Sequence, residues 1–130
     1  MKLTPESRAD FMHRFYDFYD AVVCDVDIRL RGAEPACQIT IQSQDREAES
    51  GWSTVTFEVR LPSEFRFELS RTTFEVLSSG LQVAWRAGFV FLVLDAYPDD
   101  AEELPNLGTN TAYVAGAECS WTASPVDLEK

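Results

Sequence analysis

The chain has 130 residues, a usual length for one domain, and 45% of them are apolar, enough to build a core without disulfide or metal staples. Its 22 acidic side chains against 11 Lys and Arg give a net charge of -11, which disfavours DNA, RNA and anionic membrane surfaces as partners. The same imbalance favours a basic protein as partner.

The opening residues, MKLTPESRADF, contain no apolar run of the kind a signal peptide needs, so a reducing, cytoplasmic setting is expected. Thr4-Pro5-Glu6 reads as a helix start: threonine suits the N-cap, proline the first helical position, and Glu6 the positive end of the dipole. The spacing predicts a helix over residues 5–19, with Phe11, Met12, Phe15, Phe18 and Tyr19 on one face and Arg8, Asp10, Arg14 and Asp17 mostly elsewhere. Its expected task is to cover one open side of a β-structure occupying residues 21–123, with residues 124–130 as a tail.

From Val22 the apolar period becomes two. Val22, Cys24, Val26, Ile28 and Leu30 are expected inward, with Asp25, Asp27, Arg29 and Arg31 on the polar face. Gly32 to Pro35 turns the chain into a second strand with Cys37, Ile39, Ile41 and Ser43 inward, making an antiparallel hairpin. Asp45 to Gly51, DREAESG, reads as a charged loop. A third strand follows with Val55, Phe57, Val59 and Leu61 inward; Pro62-Ser63 is expected to break it, and a short fourth strand holds Phe65, Phe67 and Leu69. Ser70 to Gly80 reads as irregular. Leu81 to Tyr97 then reads as a hairpin joined at Arg86-Ala87-Gly88. Its second arm, Phe89 to Leu94, is wholly apolar and is expected to be the central strand, buried on both faces. The last strand is predicted with Tyr113, Ala115, Ala117, Cys119 and Trp121 inward and Gly116 at a bulge. The fold expected is mainly β: an antiparallel sandwich or partly open barrel of about seven strands with one N-terminal helix.

No catalytic, metal or cofactor motif stands out. His13 is the one histidine, and no nucleophile elbow accompanies it, so a surface or structural role is expected and an enzyme is not. Cys24, Cys37 and Cys119 are too far apart for paired zinc ligands and too few for a disulfide framework; all three fall on predicted inner faces, as small hydrophobes. Asp25, Asp27, Arg29 and Arg31 are explained by cross-strand charge pairing. Trp52 is out of phase with its strand and reads either as an exposed interface residue or as a plug at a sheet corner.

The densest local charge is Asp95, Asp99, Asp100, Glu102 and Glu103, on a loop between Pro98 and Pro105 after the most apolar strand. Such a loop suits a surface that meets Arg and Lys of a protein partner. It also suits a solvated guard for a sheet edge. Calcium would require a patterned loop that is absent, and carboxylate acid–base chemistry would require distances that sequence does not give.

The order of features is similar to small bacterial β-proteins of the immunity-protein 50 type. The segment FYDFYDAVVCDVDIRL, the second alternating strand, VTFEVRLPSEFRFEL, the apolar hairpin and the closing AECSWTA carry the resemblance, across roughly Phe15 to Ala123. The family's opening, Phe-His-Asp-Ala, corresponds to Phe18-Tyr19-Asp20-Ala21, with tyrosine in place of histidine. The resemblance implies a protein that binds and neutralises a cognate toxin, with no catalytic residue. The leading expectation is thus a cytoplasmic binding protein acting through its acidic surface. A small-molecule-binding barrel, suggested by sixteen aromatic residues, and a self-associating module with open sheet edges are the alternatives.

Overall fold

The computed structural model describes residues 1–67, 75–94 and 112–127. The chain enters through a two-residue strand, β1 (Lys2–Leu3). The Thr4 N–H donates to Ser7 Oγ at 3.0 Å and the Ser7 N–H donates to Thr4 Oγ1 at 3.1 Å, closing a turn ahead of the helix; the helix N-cap is Ser7, three residues past the Thr4 that the sequence marked, and it makes no side-chain cap bond. The helix that follows, α1, spans only Arg8–Arg14. It is shorter than the residues 5–19 predicted at both ends: residues 5–7 form the turn before it, and after Phe15 the residues Tyr16, Asp17 and Phe18 take φ of 55°, 56° and 59°, a left-handed turn. That turn folds Phe18 back against Phe11, Phe15 and Phe57, with ring centroids 5.5, 5.2 and 5.6 Å away. Left-handed backbone costs about 1–2 kcal/mol per residue and burying one such ring is worth about 1.5–3 kcal/mol, so the turn is offset by the phenylalanine cluster together and not by one ring.

The remaining strands are β2 (Ala21–Arg29), β3 (Ala36–Gln44), β4 (Trp52–Arg66), β5 (Glu75–Leu77), β6 (Leu81–Arg86), β7 (Phe89–Leu94) and β8 (Tyr113–Pro125). They form one antiparallel sheet in the order β5-β2-β3-β4-β8-β7-β6, curled into a half-barrel. The partly open barrel is therefore the architecture, and the sandwich is not. β1 pairs with β8 at Lys2↔Ser120 and Leu3↔Cys119, beyond the stretch of β8 that β7 covers. The wholly apolar β7 is not central; β4 is, and β7 lies second from one edge. Its apolarity still has the expected cause. Val90, Leu92 and Leu94 face the main core, whereas Phe91 and Val93 join Tyr113 and Ala115 in a second buried cluster.

Three irregularities reset the alternation that the sequence suggested. In β2 the register shifts between Val23 and Asp25, so Cys24 is extruded and exposed, Val23, Val26 and Ile28 pack against the core, and Leu30 lies outside at 63% exposure. In β4 the shift falls between Pro62 and Glu64. Pro62-Ser63 therefore bends one long strand instead of separating two, Leu61 turns out with φ 50°, and Phe65 is exposed. In β8, Cys119 and Trp121 face the main core as predicted, but Tyr113 and Ala115 belong to the second cluster and Val114 points inward in their place. The β6–β7 hairpin closes through two residues, Ala87 and Gly88, both with positive φ, and Arg86 pairs with Phe89. Part of the stretch read as irregular is β5, which pairs with β2 at Ala21↔Leu77.

Phe11, Phe15 and Phe18 fill the inner side of the half-barrel against Phe57 and Trp121. The helix also guards an edge. Arg8 Nε donates to the Val83 carbonyl of β6 at 2.7 Å, and Arg8 Nη2 donates to Gln82 Oε1 at 3.0 Å.

Candidate functional site

Asp95, Asp99, Asp100, Glu102 and Glu103, the carboxylates singled out for partner binding, lie outside the described residues. Among the described side chains one carboxylate, Asp45, is buried; the other Asp and Glu are exposed or half-buried. Some of these are tied to neighbours. Arg60 reaches Glu118 across the sheet at 3.0 Å and Glu34 at 2.9 Å, and Arg29 pairs with Asp27 of its own strand at 3.3 Å instead of across strands. The outward row Thr40, Thr56 and Thr122 stands in register on β3, β4 and β8, and Gln38 donates to Glu58 at 3.2 Å beside it.

Asp45 begins the loop between β3 and β4. Arg14, the last residue of α1, grips it with Nε at 2.9 Å and Nη2 at 3.1 Å. Ser53 Oγ and the Glu47 N–H also donate to it. Burial alone would push the Asp45 carboxyl up, but these bonds and the Arg14 charge outweigh it and hold the carboxyl below its usual range. Arg14 in turn lies 4.8 Å from the Phe15 ring centroid and 5.4 Å from that of Trp121. The pairing ties the helix end to the β3–β4 loop, and its two members are far apart in the chain.

Against this pair opens a cleft of about 410 Å³ walled by Tyr16, Gln44, Arg46, Ala48, Gly51, Trp52 and Asp45 itself. Gln44 and Trp52 are register partners at the ends of β3 and β4, and they alternate with the buried Ser43 and Ser53. Arg46 is fixed three ways: its N–H donates to the Arg14 carbonyl at 3.0 Å, its Nε donates to the His13 carbonyl at 2.8 Å, and its guanidinium carbon sits 3.7 Å above the Tyr16 ring centroid. The sequence singled out Trp52, which proves half-buried on this wall. It gave no sign of Arg46 or Tyr16, because the left-handed turn that brings Tyr16 under Arg46 has no glycine to announce it.

The side chain of His13 is exposed on α1. Cys37 and Cys119 are buried and free; burial pushes their thiols up to about 11 and about 12, with added repulsion from Asp27 on Cys37 and from Cys37 on Cys119. Cys24, expected inside, is the exposed one. Among the described residues no three His, Cys, Asp or Glu side chains gather as metal ligands, and no helix is long and apolar enough to cross a membrane. No family model, curated protein or solved structure matches the chain.

Proposed function

We propose that this protein is a non-enzymatic, cytoplasmic binding protein that captures a basic protein partner and occludes it, as a toxin-neutralising immunity protein does. The observation that supports this reading is the direction of its charge. The chain carries a net -11, and of the described carboxylates only Asp45 is withdrawn from the surface. The other described carboxylates are exposed or half-buried, an acidic surface of the kind that steers and holds a cationic one. The stretch of sequence bearing Asp95, Asp99, Asp100, Glu102 and Glu103 is the part of the chain assigned to the contact.

The test is affinity capture from native cells, with the wild-type chain and a variant carrying Asp99→Lys, Asp100→Lys, Glu102→Lys and Glu103→Lys as parallel baits. One basic protein retained by the wild type at low salt and released by the variant is the expected result. Full retention by the variant would remove the loop from the interface.

A further inference from the structure

We propose that the cleft walled by Tyr16, Arg46 and Trp52 is a binding site for a small flat carboxylate, with Arg46 as the fork that takes the carboxylate and Trp52 as the wall that takes the flat body.

The case begins with Arg46. Its Nε and backbone N–H are committed to carbonyls of the helix end, and its guanidinium is stacked on Tyr16. No carboxylate among the described residues pairs with its two terminal nitrogens, in a chain with twice as many acids as bases. A guanidinium held in one plane with its terminal N–H pair open is preorganised for two parallel bonds to one carboxylate. The carboxylates beside it in sequence do not compete, since Arg14 engages both Asp45, at 2.9 Å, and Glu47, at 3.2 Å.

The rest of the cleft selects the ligand's body. Tyr16 is held at φ 55°, a conformation that disfavours non-glycine residues, and is 38% exposed, so strained backbone presents its ring under Arg46. A cleft of about 410 Å³ is larger than a carboxylate needs and falls at the small end of ligand sites. The indole of Trp52 supplies a flat apolar surface, and the Gln44 amide is a further polar contact on the same wall. Gly51, with φ 82° and open space where a Cβ would stand, lets a ligand approach the backbone. The site belongs to the isolated chain and does not depend on a protein partner.

Benzoate, benzamide and inorganic phosphate are the probes, titrated separately into the full-length chain while the Trp52 indole N–H and Gly51 amide are followed by NMR. The salt is set at about 0.15 M, where the Debye length of about 8 Å screens most of the chain's net charge. Benzoate is expected to give saturable shifts at these two groups. Benzamide has the shape without the charge, and phosphate has the charge without the flat body; each is expected to bind at least roughly tenfold more weakly. Arg46→Gln should weaken benzoate by a similar factor, and Arg46→Lys, which keeps the charge and loses the fork, should restore only part of it. Benzamide or phosphate matching benzoate would overturn the proposal, as would shifts that fail to saturate. The comparison among probes uses the wild type alone, so it holds whatever Arg46 substitution does to folding.

Discussion

Arg14 and Asp45 set opposite costs on their own removal. Arg14 is 24% exposed in its side chain, whereas that of Asp45 is fully buried. Without Asp45, Arg14 keeps Glu47 at 3.2 Å and some access to water. Without Arg14, a buried carboxylate is left with the Ser53 hydroxyl and the Glu47 N–H. Arg14→Ala is therefore expected to cost about 3–5 kcal/mol and Asp45→Asn about 2–3 kcal/mol in chemical denaturation. Equal costs would mean that the pair is solvated. The pH dependence follows from the lowered Asp45 carboxyl: its stabilisation is complete above the ordinary aspartate value of about 4 and is lost as pH falls through the lower folded value. Melting curves of the wild type should thus lose stability on acidification below about pH 4, and those of Asp45→Asn should lose less. The cysteines offer a second check. A thiol reagent should react quickly with Cys24 alone in the native protein and with Cys37 and Cys119 only after denaturation, because burial keeps those two protonated. A slow Cys24 would contradict its extrusion, and a second fast thiol would contradict the burial of Cys37 or Cys119. Little of this was legible in the sequence. Cys24 sits in a clean alternating pattern, and nothing local to it marks the bulge that turns it outward.

At the scale of elements, sequence patterning succeeded where alternation was uninterrupted and failed where backbone irregularity changed its phase. β3 has Cys37, Ile39, Ile41 and Ser43 buried as read, because no bulge interrupts it. The bends in β4 and β8 are coupled, and glycine explains where. A Cβ on Gly116 would stand 2.6 Å from Val59 Cγ1, 2.7 Å from the Arg60 carbonyl oxygen and 3.2 Å from Pro62 Cα. The sequence marked Gly116 as a bulge, but the extra residue is on the partner strand, at Ser63. What Gly116 supplies is the close approach that lets β4 bend there. Gly116→Ala is expected to destabilise the protein by about 2–3 kcal/mol, through overpacking against backbone that has little room to yield. A change below about 0.5 kcal/mol in urea unfolding would show that the two strands separate easily at this point. The helix was legible by its aromatic stripe, but neither its start, capped at Ser7 instead of Thr4, nor its end was. Four non-glycine residues with positive φ, Tyr16, Asp17, Phe18 and Asp20, follow it, and only tertiary burial of the phenylalanines accounts for that conformation.

The whole molecule is a half-barrel closed on its inner side by one short helix. Its class was legible from strand count and period, because those depend on local alternation; its strand order was not, because β1 and β5 are two and three residues long. Five of the sixteen aromatic residues that suggested a ligand inside a barrel are accounted for otherwise, since Phe11, Phe15, Phe18, Phe57 and Trp121 pack on one another. Among the described carboxylates all but Asp45 are exposed or half-buried, so a charged partner would be met on the outer surface. The acidic loop was the strongest candidate in the sequence, and the cleft at Arg46 was invisible there, because charge density is a local property and the cleft joins the turn at Tyr16 to the distant stretch 44–52. If carboxylates of this acidic chain capture a basic partner, the affinity for the captured protein must depend on salt, measured with the wild type and with the chain carrying lysine at positions 95, 99, 100, 102 and 103. Steep weakening of the wild-type complex with rising salt and loss of binding in the variant are expected. An affinity that does not change with salt, and is the same for both chains, would contradict this reading.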